Sequence, residues 1–200
     1  VFGNPFATPE APPGPPTLTF ICTGNICRSA LAEKLLAERL AASGALPDLT
    51  ITSAGLHAVV GSPMDTMPAL IAERHGADPA HAGTQVSREL IESSSLILTM
   101  TRAQLDELVV QYPTAMRRAF TLTEFVRLLT EHPDEVPPSD AASGRSVFDV
   151  AMDASRHRSL VSRGASGDID DPYRRSEQVH ERVGSEIVSL VGTLAGALAR

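Results

Sequence analysis

Two hundred residues, 42% of them hydrophobic, suit one domain with a sizeable core, and a formal charge of −7 argues against broad electrostatic capture of nucleic acid or an anionic membrane surface. No run approaches the ~18 apolar residues of a membrane span, and the start lacks the charged-then-apolar order of a secretory signal, so the expected compartment is the cytoplasm. Only two cysteines occur, Cys22 and Cys27, which argues against a secreted disulfide framework.

Residues 1–16 carry repeated proline (Pro5, Pro9, Pro12, Pro13, Pro15, Pro16) and little apolar periodicity, which predicts a disordered or extended leader. A buried parallel strand is expected from Thr17, through Leu18 and Phe20, to a Gly-Asn turn. A helix then runs toward Ser43 with Leu31, Leu35 and Leu36 on its apolar side, Ser29 as its cap and Gly44 as its stop. Leu49 to Ser53 reads as a second strand. Helical spacing returns from Pro68 to His75 and ends at Gly76. Leu96 to Met100 reads as a third strand, Arg102 to Gln111 as a helix closed off by Pro113, Phe120 to Leu122 as a fourth strand, and Glu124 to Glu131 as a helix. From Pro133 to Gly167 the pattern weakens, which predicts an insertion with a helix over Phe148 to Leu160. Val179, Val183, Ile187, Val191, Leu194 and Leu198 share one face of a final helix that must pack on the core. Strands alternating with helices imply an α/β fold, a parallel sheet with helices on both faces and ligands beyond the carboxyl ends of its strands.

The chemistry concentrates after the first strand, where Cys22 precedes Arg28 around a tight turn. Backbone N–H groups of Thr23, Gly24, Asn25, Ile26 and Cys27 can converge there on one anion, the next helix adds its positive dipole end, and Arg28 adds a planar fork of donors. The same field favours a thiolate at Cys22, which can displace a leaving group from bound phosphate in line and form a cysteinyl-phosphate. Ser29 can donate to that sulfur. Asn25 tolerates left-handed backbone and can fasten the loop with its amide, and Gly24 admits close approach of the anion. The run Asp168-Ile169-Asp170-Asp171-Pro172-Tyr173 supplies the proton donor: Pro172 restricts Asp171, the candidate general acid and later base, and Tyr173 offers an aromatic wall. Asp168 and Asp170 are weaker candidates. His57, His75, His132, His157 and His180 show no convergent ligand spacing, so neither a metal nor another cofactor is implied.

The run Cys22 to Ser29, followed by Ala32-Glu33, resembles the signature of the low-molecular-weight protein tyrosine phosphatases, and Asp171-Pro172-Tyr173 resembles that family's acid loop. Ser53-Ala54-Gly55 resembles the segment whose serine braces the loop asparagine, and His81 resembles the family histidine that joins the brace. The likeness spans residues 17–198 and implies a three-layer fold, a four-stranded parallel sheet flanked by helices with the phosphate loop after the first strand. Residues 17–200 are thus expected to form a single phosphatase domain with an insertion around 133–167. Ala30 stands where the family usually has proline, and Thr84 where many relatives have an arginine two residues before the next helix. The run Asp171 to Ser176 resembles bacterial members associated with tyrosine kinases of surface-polysaccharide production, which implies a phosphotyrosine-containing protein of that kind as partner.

Phosphotyrosine is the substrate this resemblance favours, since a deep loop excludes short phosphoserine and Tyr173 can stack on the substrate ring. Phosphoarginine is the rival within the family. Arginine-specific relatives resemble this loop with threonine in place of Ile26, and an isoleucine beside the phosphate favours an aryl ester. Arsenate reduction by a cysteine relay is disfavoured, because no cysteine lies beyond Cys27. A non-catalytic phosphate-binding module predicts a broken catalytic set, whereas Cys22, Arg28, Ser29 and Asp171 are all present. Cys27 is either a packed small residue or a redox partner that shields Cys22 from irreversible oxidation.

Overall fold

The computed structural model describes residues 10–140, 143–161 and 167–198. Residues 1–9 of the expected leader, 141–142 and 162–166 of the expected insertion, and 199–200 of the expected domain lie outside them. Four strands, β1 (Thr17–Cys22), β2 (Thr50–Gly55), β3 (Leu96–Thr99) and β4 (Ala119–Thr121), pair in parallel in the order β2-β1-β3-β4. Side chains alternate across a strand, so β1 and β3 each feed two cores. Leu18, Phe20, Leu96 and Leu98 face one core, completed by α1 (Arg28–Ser43), α2 (Thr66–Arg74), α5 (Leu122–Glu131), α6 (Val147–Arg156) and α7 (Glu177–Leu198). Ile21 and Ile97 face a smaller one under α3 (Arg88–Ser93) and α4 (Arg102–Gln111). The layers are therefore helix, sheet, helix, as expected.

Where the element bounds differ from the sequence reading, a local bond explains the shift. β2 continues to Gly55 because Ala54 and Gly55 still pair with Ile21 and Cys22. β4 stops at Thr121 because that residue caps α5: its hydroxyl accepts from the Glu124 N–H at 3.1 Å while the Glu124 carboxylate reaches back to the Thr121 N–H. The helix therefore begins at Leu122, two residues earlier than expected. α2 begins at Thr66 rather than Pro68, capped by Asp65, and Pro68 sits in its first turn. Ser87 caps α3, to which the apolar pattern gave no bounds.

The stretch from Pro133 to Gly167, where the sequence pattern weakens, contributes to the larger core. Val136, Val147, Phe148, Val150, Ala151, Met152, Ala154 and Val161 are buried, and α6 with the 3-10 turn Arg158–Leu160 occupies most of the helix expected over Phe148 to Leu160. The surrounding pattern is weak because α6 lies between two turn-rich segments. Among the described residues no helix is long and apolar enough to cross a membrane.

These layers place three chain reversals at the carboxyl end of the sheet: the loop after β1, the segment after β2, and the turn after β3. The chain returns to this end before α7. The Ile169 N–H donates to the Met100 carbonyl at 2.9 Å, and the Arg102 N–H at the start of α4 donates to Asp168 Oδ1 at 2.7 Å.

Candidate active site

β1 ends at Cys22 and the chain turns back into α1 within six residues, which requires one reversal of backbone handedness. Asn25 provides it, with φ +54°. The turn is clasped from outside. The carbonyls of Cys22, Thr23, Gly24 and Ile26 accept the N–H groups of Leu56, His57, Val59 and Asp65 at 2.8–3.0 Å, and the Asn25 carbonyl accepts His81 Nε2 at 2.7 Å. With its carbonyls held outward, the loop keeps its N–H groups for the inner side. The Asn25 N–H points at Cys22 Sγ, 3.2 Å away. Cys27 occupies the N-cap of α1 without a side-chain acceptor, so the first-turn N–H groups of the helix are not consumed by a cap. Ser29 is therefore not the cap expected of it: it lies one residue inside α1 and turns its hydroxyl inward.

That hydroxyl meets the sulfur. Ser29 Oγ lies 2.9 Å from Cys22 Sγ and accepts Asn25 Nδ2 at 3.0 Å, which leaves the Ser29 proton for the sulfur. Asn25 Nδ2 also donates to Ser53 Oγ at 2.8 Å, and Ser53 in turn donates to Glu33 Oε2 at 2.5 Å. The remaining amide atom, Asn25 Oδ1, accepts the Thr84 N–H at 2.8 Å. Ser53 and His81 thus both reach Asn25, the first at its side-chain amide and the second at its backbone carbonyl. Thr84 braces the loop with its backbone alone, a contact that any non-proline residue supplies.

Arg28 opens α1 and is buried, 4% exposed, yet its guanidinium faces the 52% exposed carboxylate of Asp171 with Nη2 3.1 Å from Oδ2. Nη1 donates to the Ile169 carbonyl at 3.0 Å. Arg28 Nε has no partner among the described residues, leaving one buried donor free. Asp171 also accepts the Tyr173 N–H through Oδ1 at 3.3 Å, and Tyr173 is exposed beside it. Asp170 pairs with Arg182 and Asp168 holds the Arg102 N–H, so Asp171 is the acid of this run that meets Arg28.

Cys27 faces the other way. Its thiol donates to Asp65 Oδ2 at 3.7 Å, and burial, reinforced by the charges of Asp65, Cys22 and Asp171, pushes it far above the ordinary thiol range. Both cysteines are free. Thr23 is exposed and accepts Gln104 Nε2 at 3.0 Å, while Gln104 Oε1 takes the N–H groups of Met100 and Thr101. A Cβ on Gly24 would lie 3.6 Å from Ile26 Cγ1 and 3.8 Å from Val59 Cγ2, so these residues form an apolar flank of the loop.

Gln104 and Glu33 are the site residues that sequence reasoning missed. Gln104 was visible as the third helical residue after Thr101, a capping-box spacing. Glu33 was noticed only as part of a motif, and its link to Ser53 joins residues from two elements. Among the described residues no group of His, Cys, Asp and Glu is placed to hold a metal ion.

Comparison with known proteins places the chain in a family. The family model for low molecular weight phosphotyrosine protein phosphatase matches residues 17–157. A protein-arginine-phosphatase of Geobacillus stearothermophilus is 27% identical over 92% of this chain and 97% of its own length. A probable low molecular weight protein-tyrosine-phosphatase, EpsP of Ralstonia solanacearum, is 33% identical over 58% of this chain and 77% of its own. The solved YwlE arginine phosphatase of G. stearothermophilus superposes with a TM-score of 0.67 at 27% identity, covering 92% of this chain and 93% of that one. The chain belongs to the low molecular weight phosphotyrosine protein phosphatase family.

Proposed function

We propose that this phosphatase hydrolyses phosphotyrosine on proteins, with Cys22 as nucleophile, Arg28 as the phosphate and transition-state ligand, and Asp171 as general acid and base. The observation that carries the reading is the 3.1 Å pairing of Arg28 with Asp171, since it brings a proton donor from residues 168–173 to the loop that begins at the Cys22 thiol. In the first step the Cys22 thiolate attacks phosphorus, the S–P bond forms, the P–O bond to the aryl group breaks, and Asp171 in its acid form gives its proton to the leaving oxygen. In the second step water attacks the cysteinyl-phosphate while the Asp171 carboxylate takes its proton. The S–P bond breaks, and the Ser29 hydroxyl stabilises the departing thiolate. The inward N–H groups of residues 23–27 and the Arg28 guanidinium hold the phosphoryl oxygens throughout. The side chains of Asn25, Ser53, His81 and Glu33 touch none of the reacting atoms and keep the loop in shape.

Ile26, half-buried beside Gly24 and Val59, supports an aryl ester over a guanidinium phosphate. The specific observation favouring the second reading, phosphoarginine, is the arginine phosphatase that matches 92% of this chain. Parallel turnover of phosphotyrosine, phosphoserine and phosphoarginine peptides, with and without Cys22→Ser, tests both. Turnover of phosphotyrosine that Cys22→Ser abolishes is expected, and selective turnover of phosphoarginine overturns the first reading. Two free thiols, one of them the nucleophile, support a reducing compartment, the cytoplasm. A bacterial tyrosine kinase of polysaccharide production is the partner we put forward, on the likeness of the Asp171 to Ser176 run.

A further inference from the structure

The acid loop does not stop at Asp171. Pro172 to Arg175 form a β-turn closed by the Arg175 N–H on the Pro172 carbonyl at 2.9 Å, and Arg174 occupies its third position with φ +59°. That position favours glycine, so an arginine is held there against a steric cost. Its guanidinium lies over the Tyr173 ring, 5.1 Å from the centroid. Arg175 follows, and both arginines are exposed.

Neither has a carboxylate partner among the described residues, although the chain carries 24 acidic residues against 17 basic ones. Arg74, Arg102 and Arg127 pair with Glu181, Asp106 and Glu131. Within the acid loop, Asp170 is taken by Arg182 and Asp171 by Arg28. Glu107, on α4, is taken by His57 at 2.9 Å. Two unneutralised guanidinium groups therefore stand beside the catalytic mouth of an acidic protein, one of them fixed by an unfavourable backbone and an aromatic plate. Strain of this kind persists at sites of function.

We propose that Arg174 and Arg175 select phosphotyrosines flanked by acidic residues, binding the carboxylates of an acidic peptide within about three positions of the phosphotyrosine. The inference rests on the phosphotyrosine reading above and names its substrate class. The guanidinium fork suits a carboxylate bidentately, and an extended peptide advancing about 3.3 Å per residue keeps a flanking Asp or Glu within reach of the turn.

The test compares kcat/KM for paired phosphotyrosine peptides that differ only in Glu or Ala at the flanking positions, at low salt and at 0.5 M sodium chloride on the order of tenfold above it. The readout is the acidic-to-neutral ratio within each enzyme, so a general change in activity cancels. Wild type is expected to favour the acidic peptide about 3- to 10-fold, as two exposed ion pairs allow, and to lose most of the preference at high salt. Arg174→Gly, which suits the turn, and Arg175→Ala each halve the preference or more, and the double variant abolishes it. A wild-type ratio near one, or a double variant that keeps the preference, overturns the inference and leaves the phosphotyrosine reading standing. Failure to turn over either peptide, with phosphoarginine hydrolysed instead, overturns both.

Discussion

Asn25 gathers the bracing of the phosphate loop in one side chain, and replacing it separates two physical effects. Its amide makes three hydrogen bonds, to Ser29, Ser53 and the Thr84 N–H, all within 3.0 Å, and its backbone sits at φ +54°. Asn25→Ala deletes the three bonds. The two serine hydroxyls each keep another partner, Cys22 Sγ or Glu33, whereas the Thr84 N–H loses its acceptor. About 1 kcal/mol for each serine bond and about 1–2 for the stranded N–H give a loss of about 3–4 kcal/mol. Alanine at left-handed φ adds about 1 kcal/mol, for a total of about 4–5. Asn25→Gly suffers the same lost bonds but not that strain, and should stand about 1 kcal/mol above Asn25→Ala. Urea unfolding of the three proteins, compared at a common m-value, measures both differences. The turnover of para-nitrophenyl phosphate should fall about tenfold or more in both variants, because the carbonyl clasp persists while the inner N–H groups lose their anchor. Two results would refute the reasoning: a loss below about 1 kcal/mol in Asn25→Ala, or an Asn25→Gly protein no more stable than Asn25→Ala.

Three further outcomes are expected. Asp171→Asn should lower kcat on phosphotyrosine about 100-fold or more but on para-nitrophenyl phosphate far less, since the activated leaving group needs little protonation; equal losses would remove Asp171 from the acid role. The folded chain holds the Cys27 proton at pH values where an unfolded thiol, with its ordinary pKa of 9.0, has released it. Stability should therefore fall as pH rises above about 9, by up to about 1.4 kcal/mol per pH unit from this group, and Cys27→Ala should show a shallower slope; identical slopes in urea titrations from pH 8 to about 10.5 would count against it. In Gly55→Ala the added Cβ would lie 2.6 Å from the Thr23 carbonyl and 3.0 Å from Ala58. The phosphate loop must then shift, and kcat should drop more than KM rises; wild-type kinetics would show that the clasp is slack.

The chemistry was legible because it is contiguous: Cys22, Arg28 and Ser29 lie within one turn, and the residue types that bind and attack phosphate are few. Asp171 was legible for the same reason, since a proline and an aromatic follow it directly. Ser29 was assigned two tasks, cap and sulfur donor, and only the second is realised, because the N-cap falls to Cys27 and the Ser29 hydroxyl turns to the sulfur. The apolar face of α7 could be read from its period, and α6 was expected over Phe148 to Leu160, although it begins one residue earlier and ends at Arg156, flanked as it is by proline- and glycine-rich turns. Least legible is the clasp that holds the loop's carbonyls outward. Apart from His81 on the Asn25 carbonyl, it is made by the backbone N–H groups of Leu56, His57, Val59 and Asp65, and a backbone donor leaves no residue signature. The backbone part leaves a trace where a side chain would intrude: a Cβ on Gly55 meets the Thr23 carbonyl, and one on Gly83 would lie 2.5 Å from the Val59 carbonyl. Apart from Gly61, at φ +76°, and Asp65, whose side chain caps α2, the segment from Leu56 to Asp65 can therefore vary in side chain while its path stays fixed, with Gly55 and Gly83 marking the close approaches. This arrangement lets the flank of the site at Val59, beside Gly24 and Ile26, change substrate preference without disturbing the cradle beneath.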